Sequence, residues 1–407
     1  MSTADAVHDL TNYIIKNLDG GRKVLGIFLD LAKAFDTVSV PLLVRKMECL
    51  GIRGIQLKLF EDYLSGRTQI VKIGEHCSNE RLVTYGVPQG SVLGPTLFLV
   101  YINDLGALTI PNGKVITFAD DTALLFSADT WGEVYECAQS GFNIVSDWLR
   151  SNVLTLNTAK TNYVNFSLKR IAPALPTSFS IVAHTCSRSY ITTCSCTHLH
   201  KVDSVRYLGI TIDDRLGFRD HITLLTNRLR KLIFIFKNLR HVADEKTKRT
   251  VYFALVQSLL TYCITSWGGA PKCTILELER AQRAILKVSL CLPFRYSTTL
   301  LYKEAKVLTV RQLFIQQTVL KQHCLLTYNP SLSRGKRRFN PAAASHIRLS
   351  TKASNRFFCH LGCYLYNKIN RILSIFELRK IKCKMKLTLW LLDLDYQTTE
   401  KLLLVQA

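Results

Sequence analysis

A chain of 407 residues, 48% of them hydrophobic, has length for two or three compact units and apolar side chain to fill them, which excludes a disordered or low-complexity protein. The formal net charge of +23 is unevenly placed: residues 1–150 hold 13 Lys/Arg against 17 Asp/Glu (net −4), and residues 151–407 hold 40 against 13 (net +27). A positive field of that size attracts polyanions and gains free energy from counterion release, so nucleic acid is the first partner to consider and an anionic membrane surface the second.

No apolar run reaches the roughly 18 residues that span a bilayer. The first residues, Met1-Ser2-Thr3-Ala4-Asp5, lack the basic and apolar regions of a signal peptide. The expectation is an intracellular chain, in nucleus or cytoplasm, with no membrane partner. The 13 cysteines are odd in number and form no framework, which fits reduced, packed thiols better than disulfides. Cys186, Cys194, Cys196, His198 and His200 form the densest cluster. Their spacing matches no zinc pattern, and alternation over 193–200 is equally what a strand or irregular hairpin shows.

Up to about residue 215, apolar runs bounded by turn signals alternate with helix-like periods, and helix-like periods dominate afterwards. This order predicts an α+β domain followed by a helical one. Val24 to Leu29 reads as a buried strand ending at Asp30. Pro41 to Leu50, opened by Ser39 and closed by Gly51, reads as a helix. Residues 114–126 carry two β-prone runs around Asp120-Asp121, predicting a hairpin with both carboxylates at its tip. Further on, Leu225, Leu229, Leu232, Phe236 and Leu239 share one helical face with Arg230 and Lys237 opposite. Tyr252, Leu255 and Leu259 make a second stripe, and Leu278, Ala281, Ile285 and Val288 a third. A helical bundle core accounts for them, and their basic faces could also grip a duplex. Residues 330–356 are polar and loop-like, a linker before a last helical segment.

Three stretches carry the chemistry: GIFLDLAKAFDTV (26–38), GVPQGSVLGPTLF (86–98) and FADDTALL (118–125). Taken singly, each has an ordinary explanation as a cap, a loop or a solvated turn. Together they answer the need of nucleotidyl transfer, in which negative charge grows on the attacking and leaving oxygens. Two Mg²⁺ ions about 4 Å apart answer both charges, and such hard cations want carboxylate oxygens on a rigid support. A strand-end Asp30 beside a hairpin-tip Asp120-Asp121 would supply that support. Without metal, three crowded carboxylates repel one another.

These stretches resemble motifs A, B and C of the reverse transcriptases of non-LTR (LINE-type) retrotransposons, most like the jockey-type elements of animals. WLRSNVLTLNTAKT (148–161) is similar to motif D, VRYLGITIDDRL (205–216) to the segment entering the thumb, and the likeness runs on through 252–269. The resemblance implies a right-hand polymerase palm with a small antiparallel sheet over 1–215, part of the fingers lying at its N-terminus. A helical thumb over 216–325, a basic linker over 326–356 and a C-terminal helical segment over 357–407 follow.

The implied activity is RNA-directed DNA polymerase, with RNA template, DNA primer and dNTP as partners and Mg²⁺, or Mn²⁺, as cofactor. Asp30, Asp120, Asp121 and the backbone carbonyl of Leu31 would bind the two ions. Phe35 would exclude a 2′-hydroxyl by bulk. Gln89 and Gly90 would line the nucleotide and template path, where a residue without Cβ lets backbone approach nucleic acid closely. Lys160 resembles the motif D lysine, a proton donor to the departing pyrophosphate, although a solvated surface lysine explains it as well. Asp36, Asn103-Asp104 and Asp213-Asp214 are assigned turn and capping roles, and Arg334-Gly335-Lys336-Arg337-Arg338 is either a nuclear import signal or a basic loop. Most of the fingers expected before motif A are missing, and no endonuclease domain, CCHC knuckle or ribonuclease H segment is recognisable. The expectation is therefore a fragment, and the second reading is a remnant that binds nucleic acid without polymerising.

Overall fold

The computed structural model describes residues 2–168, 179–184, 196–328 and 354–404. Cys186, Cys194, the basic run 334–338 and most of the expected linker lie outside them. The chain forms two compact units, one of residues 22–207 and the other of residues 2–21 with 208 onward. The break therefore falls at 207/208, where 215 was expected, and the first helix, α1 (Thr3–Asp19), belongs to the second unit.

The first unit is built on a five-stranded sheet. Its strands are β1 (Lys23–Leu29), β2 (Gly113–Phe118), β3 (Asp121–Ala128), β4 (Asn162–Phe166) and β5 (His200–Lys201), in the spatial order β5-β4-β1-β3-β2. Every pairing is antiparallel except β5 with β4. β1 is central and buried on both faces, which is why it reads as a continuous apolar run rather than an alternating one. Opposite residues of antiparallel strands share a face, so the register Leu25↔Phe126, Ile27↔Leu124 and Leu29↔Thr122 defines one face and Gly26↔Leu125 and Phe28↔Ala123 the other.

The Leu25 face carries the main core. It is joined there by Val134, Ala138, Phe142 and Val145 of α4 (Trp131–Ser151), Leu43 and Met47 of α2 (Val40–Cys49), and Phe98 and Tyr101 of α3 (Gly94–Ile102). A capping box between Thr130 and Glu133 starts α4. Gly141 lets this helix lie close on the sheet, since a Cβ there would come within 2.5 Å of the Phe126 ring. The buried Tyr101 hydroxyl donates to the carbonyl of Asn152 and accepts from the Ser39 amide, tying two loops to the core.

The second unit is helical among its described residues, apart from the short strand Ile210–Asp213. In α5 (Arg219–Leu239), Leu225, Leu229 and Phe236 are buried as their spacing predicts, while Leu232 and Leu239 of the same stripe lie partly exposed. In α6 (Lys272–Ser289), Leu278, Ala281 and Ile285 are buried, and Val288 lies partly exposed. The stripe Tyr252, Leu255, Leu259 is corrected. Residues Tyr252–Gln257 form a π-helix, whose wider turn moves the inward positions to Tyr252, Val256 and Leu260 and leaves Leu255 37% exposed. α7 (Val310–Tyr328) and α8 (Phe358–Leu373) pack together, and α1 joins them through an Asp5–Lys321 ion pair and the edge-on contact of His8 with Phe358. Among the described residues no helix is long and apolar enough to cross a membrane.

Candidate active site

β2 and β3 form the hairpin expected around the Asp pair. Phe118 pairs with Asp121, leaving Ala119 and Asp120 as the two-residue tip, with Ala119 at φ 50°. Leu29 pairs with Thr122, so one further step along both strands brings Asp30 opposite Asp121, on the same face as Phe28 and Ala123. Opposite residues of antiparallel strands stand about 4.5–5.5 Å apart at Cα. The chain thus sets Asp30, Asp120 and Asp121 at one end of one sheet, on two elements fixed by their own ladders.

Beyond Asp30 the chain continues into an isolated bridge between Leu31 and Leu156. Its flanking bonds are made by the Asp30 carbonyl, which accepts from the Asn157 amide, and by the Ala32 amide, which donates to the Thr155 carbonyl. Leu31's own carbonyl takes no part in that pairing and faces away from it.

The electrostatics match this geometry. Burial raises the Asp121 carboxyl above the ordinary carboxylate range, and the charges of Asp120 and then Asp30 raise it further. Among the described residues, none of the three is joined to a Lys or Arg in an ion pair. The donor set, oxygen only and anionic, is the kind that hard divalent cations take. Among the described residues no three His, Cys, Asp or Glu side chains are drawn close enough to grip an ion.

Phe35 is half-buried, its ring stacked on Phe98 at 4.5 Å between centroids. The loop of the second stretch is bonded to the turn that holds Phe35: the Val87 amide donates to the Phe35 carbonyl, the Gly86 amide to the Val38 carbonyl, and Gln89 Nε2 to Asp36 Oδ1 at 2.7 Å. Asp36 therefore does more than shape a turn. Gln89 shares with Lys33, Asp36 and Arg67 the wall of a cavity of about 730 Å³. Gly90 has φ 77°, and a Cβ built on it would meet nothing within 4 Å. Its backbone is open to whatever enters. Lys160 is exposed in the turn before β4.

Two residues with a place here lie in the stretches similar to motif D and to the segment entering the thumb, but nothing in the sequence singles them out within those stretches. Thr161, fully buried, accepts the Asp30 amide on its hydroxyl and so fixes where β1 ends. Tyr207 is 3% exposed and packs edge-on against Phe28 at 5.6 Å. Among the described residues its buried hydroxyl has no hydrogen-bond partner, and burial, with the Asp121 charge next, pushes its pKa upward. The two remaining histidines of the Cys/His cluster are apart in role. His198 bonds Ser180 in a side ribbon, and His200 sits in β5.

Residues 3–212, just over half of the chain, match the family described as reverse transcriptase (RNA-dependent DNA polymerase). The probable RNA-directed DNA polymerase from transposon BS of Drosophila melanogaster is 28% identical over 344 residues, covering 82% of this chain and 36% of that protein. The RNA-directed DNA polymerase from mobile element jockey of Drosophila funebris is 28% identical over 295 residues, 70% of this chain and 30% of that protein. The chain thus spans about a third of the length of these curated relatives. A telomerase from Candida albicans, solved with a fragment of telomeric RNA, aligns at a TM-score of 0.41 and 11% identity over 74% of this chain and 51% of its own, a likeness too low to add to the case. The chain belongs to the reverse transcriptase family, in its jockey-like, non-LTR retrotransposon branch.

Proposed function

We propose that the chain is an RNA-directed DNA polymerase that adds dNTPs to a DNA primer along an RNA template. Asp30, Asp120, Asp121 and the Leu31 carbonyl would hold two Mg²⁺ or Mn²⁺ ions. The observation that carries this reading is the register that brings Asp30 opposite Asp121, one residue from the Asp120 tip. When bound, such cations answer the charge growing on the attacking and leaving oxygens.

The rest falls to the chain's own side chains. Phe35, braced on Phe98, presents bulk where a ribose 2′-hydroxyl would have to fit. Gln89, fixed to Asp36, shapes the wall along which template and nucleotide pass, and Gly90 lets that path run close to backbone. The Lys160 ammonium is the group able to give a proton to departing pyrophosphate, a role that its exposure in the turn before β4 leaves open.

The test is extension of oligo(dT) on poly(rA) with dTTP in Mg²⁺ or Mn²⁺. The unaltered chain is expected to extend the primer, and Asp121→Asn to fall by orders of magnitude. Binding of primer-template without any extension, even with a fingers segment of a relative supplied, gives the answer to the remnant reading. Equal extension by Asp121→Asn removes this site.

A further inference from the structure

Away from the carboxylates, the second unit holds a concavity of about 720 Å³ between the C-terminal end of α5 and the C-terminal half of α6. That is the size range of sites that take a nucleotide-sized ligand. Arg240 closes α5, and Arg280, Arg283 and Lys287 follow one another along a face of α6 at steps of three and four residues. No carboxylate lines the cavity among the described residues. Leu292 and Phe294, in the loop after α6, complete the wall with apolar surface. Phe294 is 91% exposed, an unusual place for a phenyl ring in a loop with a fixed course. The course is fixed by Lys287, whose ammonium donates to the Phe294 carbonyl and stands 5.6 Å from the ring centroid.

We propose that this concavity binds single-stranded nucleic acid, with one unstacked base on the Phe294 ring and the adjoining phosphodiesters on Arg240, Arg280 and Arg283. The combination decides the class of ligand. Among the described residues Arg240 meets no carboxylate, Arg280 is held by the half-exposed Glu277 and Arg283 is drawn by the buried Glu279; with more guanidinium than carboxylate charge here, the wall favours phosphate, which guanidinium groups grip in a planar, forked geometry. A presented aromatic face adds nothing for a duplex, whose bases are already stacked, whereas a single strand offers a free π-face to every aromatic ring it passes. Glu277 marks the rim: it pairs with both Arg280 and Arg230, and so competes with an incoming phosphate for Arg280. This site is independent of the carboxylates and needs no metal, so its failure and that of the polymerase reading are separable.

The experiment is fluorescence anisotropy of the full chain with labelled oligo(rU), oligo(dU) and a duplex of equal length, over a range of salt and without dNTP or divalent metal. Phe294→Ala is expected to weaken single-strand binding about tenfold and Phe294→Trp to restore it, with duplex affinity unchanged. Arg280→Gln should reduce the salt slope by about 0.7. Glu277→Gln should tighten binding. The ring is exposed, so Phe294→Ala should melt as the unaltered chain does. Equal losses on oligo(rU) and oligo(dU) assign the site to base and phosphate, and a loss on one alone names the sugar it requires. The proposal is overturned if Phe294→Ala binds single strands undiminished, or if it loses as much on duplex. A change of oligomeric state with unaltered strand binding, read by sedimentation, would overturn it in favour of a second copy of this chain.

Discussion

Gln89 Nε2 and Asp36 Oδ1 meet at 2.7 Å, so the loop of the second motif and the turn of the first move as one piece. Gly86 completes that joint at φ 97°, where a Cβ would lie 3.0 Å from Asp36 Cα and 3.1 Å from the Phe35 carbonyl oxygen. Gly86→Ala is expected to destabilise the chain by about 1–3 kcal/mol in urea unfolding. Gln89→Ala removes one exposed hydrogen bond and should cost no more than about 1 kcal/mol. A Gly86→Ala chain as stable as the parent would show that the joint yields freely.

Asp121 tests the proposed metal site without catalysis. Its folded-state pKa is raised, so its contribution to stability is present at acid pH and is lost as pH rises through the folded value. Asp121→Asn should therefore be no less stable than the parent at neutral pH. Mg²⁺ or Mn²⁺ should raise the melting temperature of the parent and leave that of Asp121→Asn nearly unmoved, because only the parent gains from binding. Equal shifts in both would place the cation elsewhere.

Phe35→Ala should change selectivity more than rate. The substitution opens space beside the sugar and leaves the carboxylates alone, so the ratio of kcat/KM for dNTP over rNTP is expected to fall, with a milder loss of dNTP incorporation. Its half-buried ring also stacks on Phe98, and truncation should lower stability by about 1–3 kcal/mol. Running parent and variant at a temperature where each is folded separates the two effects. Unchanged discrimination would count against Phe35 as the steric filter.

Glu279 gives the second unit a pH signature. It is 1% exposed, and burial outweighs the pull of Arg311 and Arg283, pushing its carboxyl from 4.5 to about 7. The folded chain holds this proton more tightly than the unfolded one, so the contribution is complete below pH 4.5 and is lost as pH rises through about 7. The loss is on the order of 3 kcal/mol at most. Glu279→Gln should remove that decline, gaining on the parent at pH 8 and not at pH 4.5. Taking the difference between the two chains cancels the opposite drift of His8 and His221, which burial lowers to about 3 and about 4. Parallel stability curves would show that the carboxyl titrates normally.

Much of the site was legible because it rests on local patterns. The apolar run ending at Asp30 is β1, and the hairpin around the Asp pair is present with its tip one residue earlier than expected, at Ala119-Asp120, so that Asp121 opens β3; strands and turns of this kind are set by neighbours in sequence. Helix stripes in α5 and α6 read correctly for the same reason. What escaped is what depends on distant partners. Thr161 closes the stretch similar to motif D, but its bond to the Asp30 amide spans 131 residues and no local pattern announces it. Tyr207 gains its interest from Phe28 and Asp121, which are also distant in sequence. The π-helix at Tyr252–Gln257 shifts an otherwise ordinary stripe by one position, which a period of 3.6 cannot foresee.

The membership of α1 in the second unit has a consequence for synthesis. Asp5 and its partner Lys321 are 316 residues apart, and Phe358, which covers His8, is made later still. At about 5–20 residues per second, roughly 15–60 s pass between the emergence of the helix and that of its partners. For that interval Leu10, Ile14 and Ile15, fully buried at the end, have no native surface to cover them. The sheet of residues 22–207 can close meanwhile, so α1, made before that sheet, docks after it, and a chaperone acting on the nascent chain has a clear substrate there.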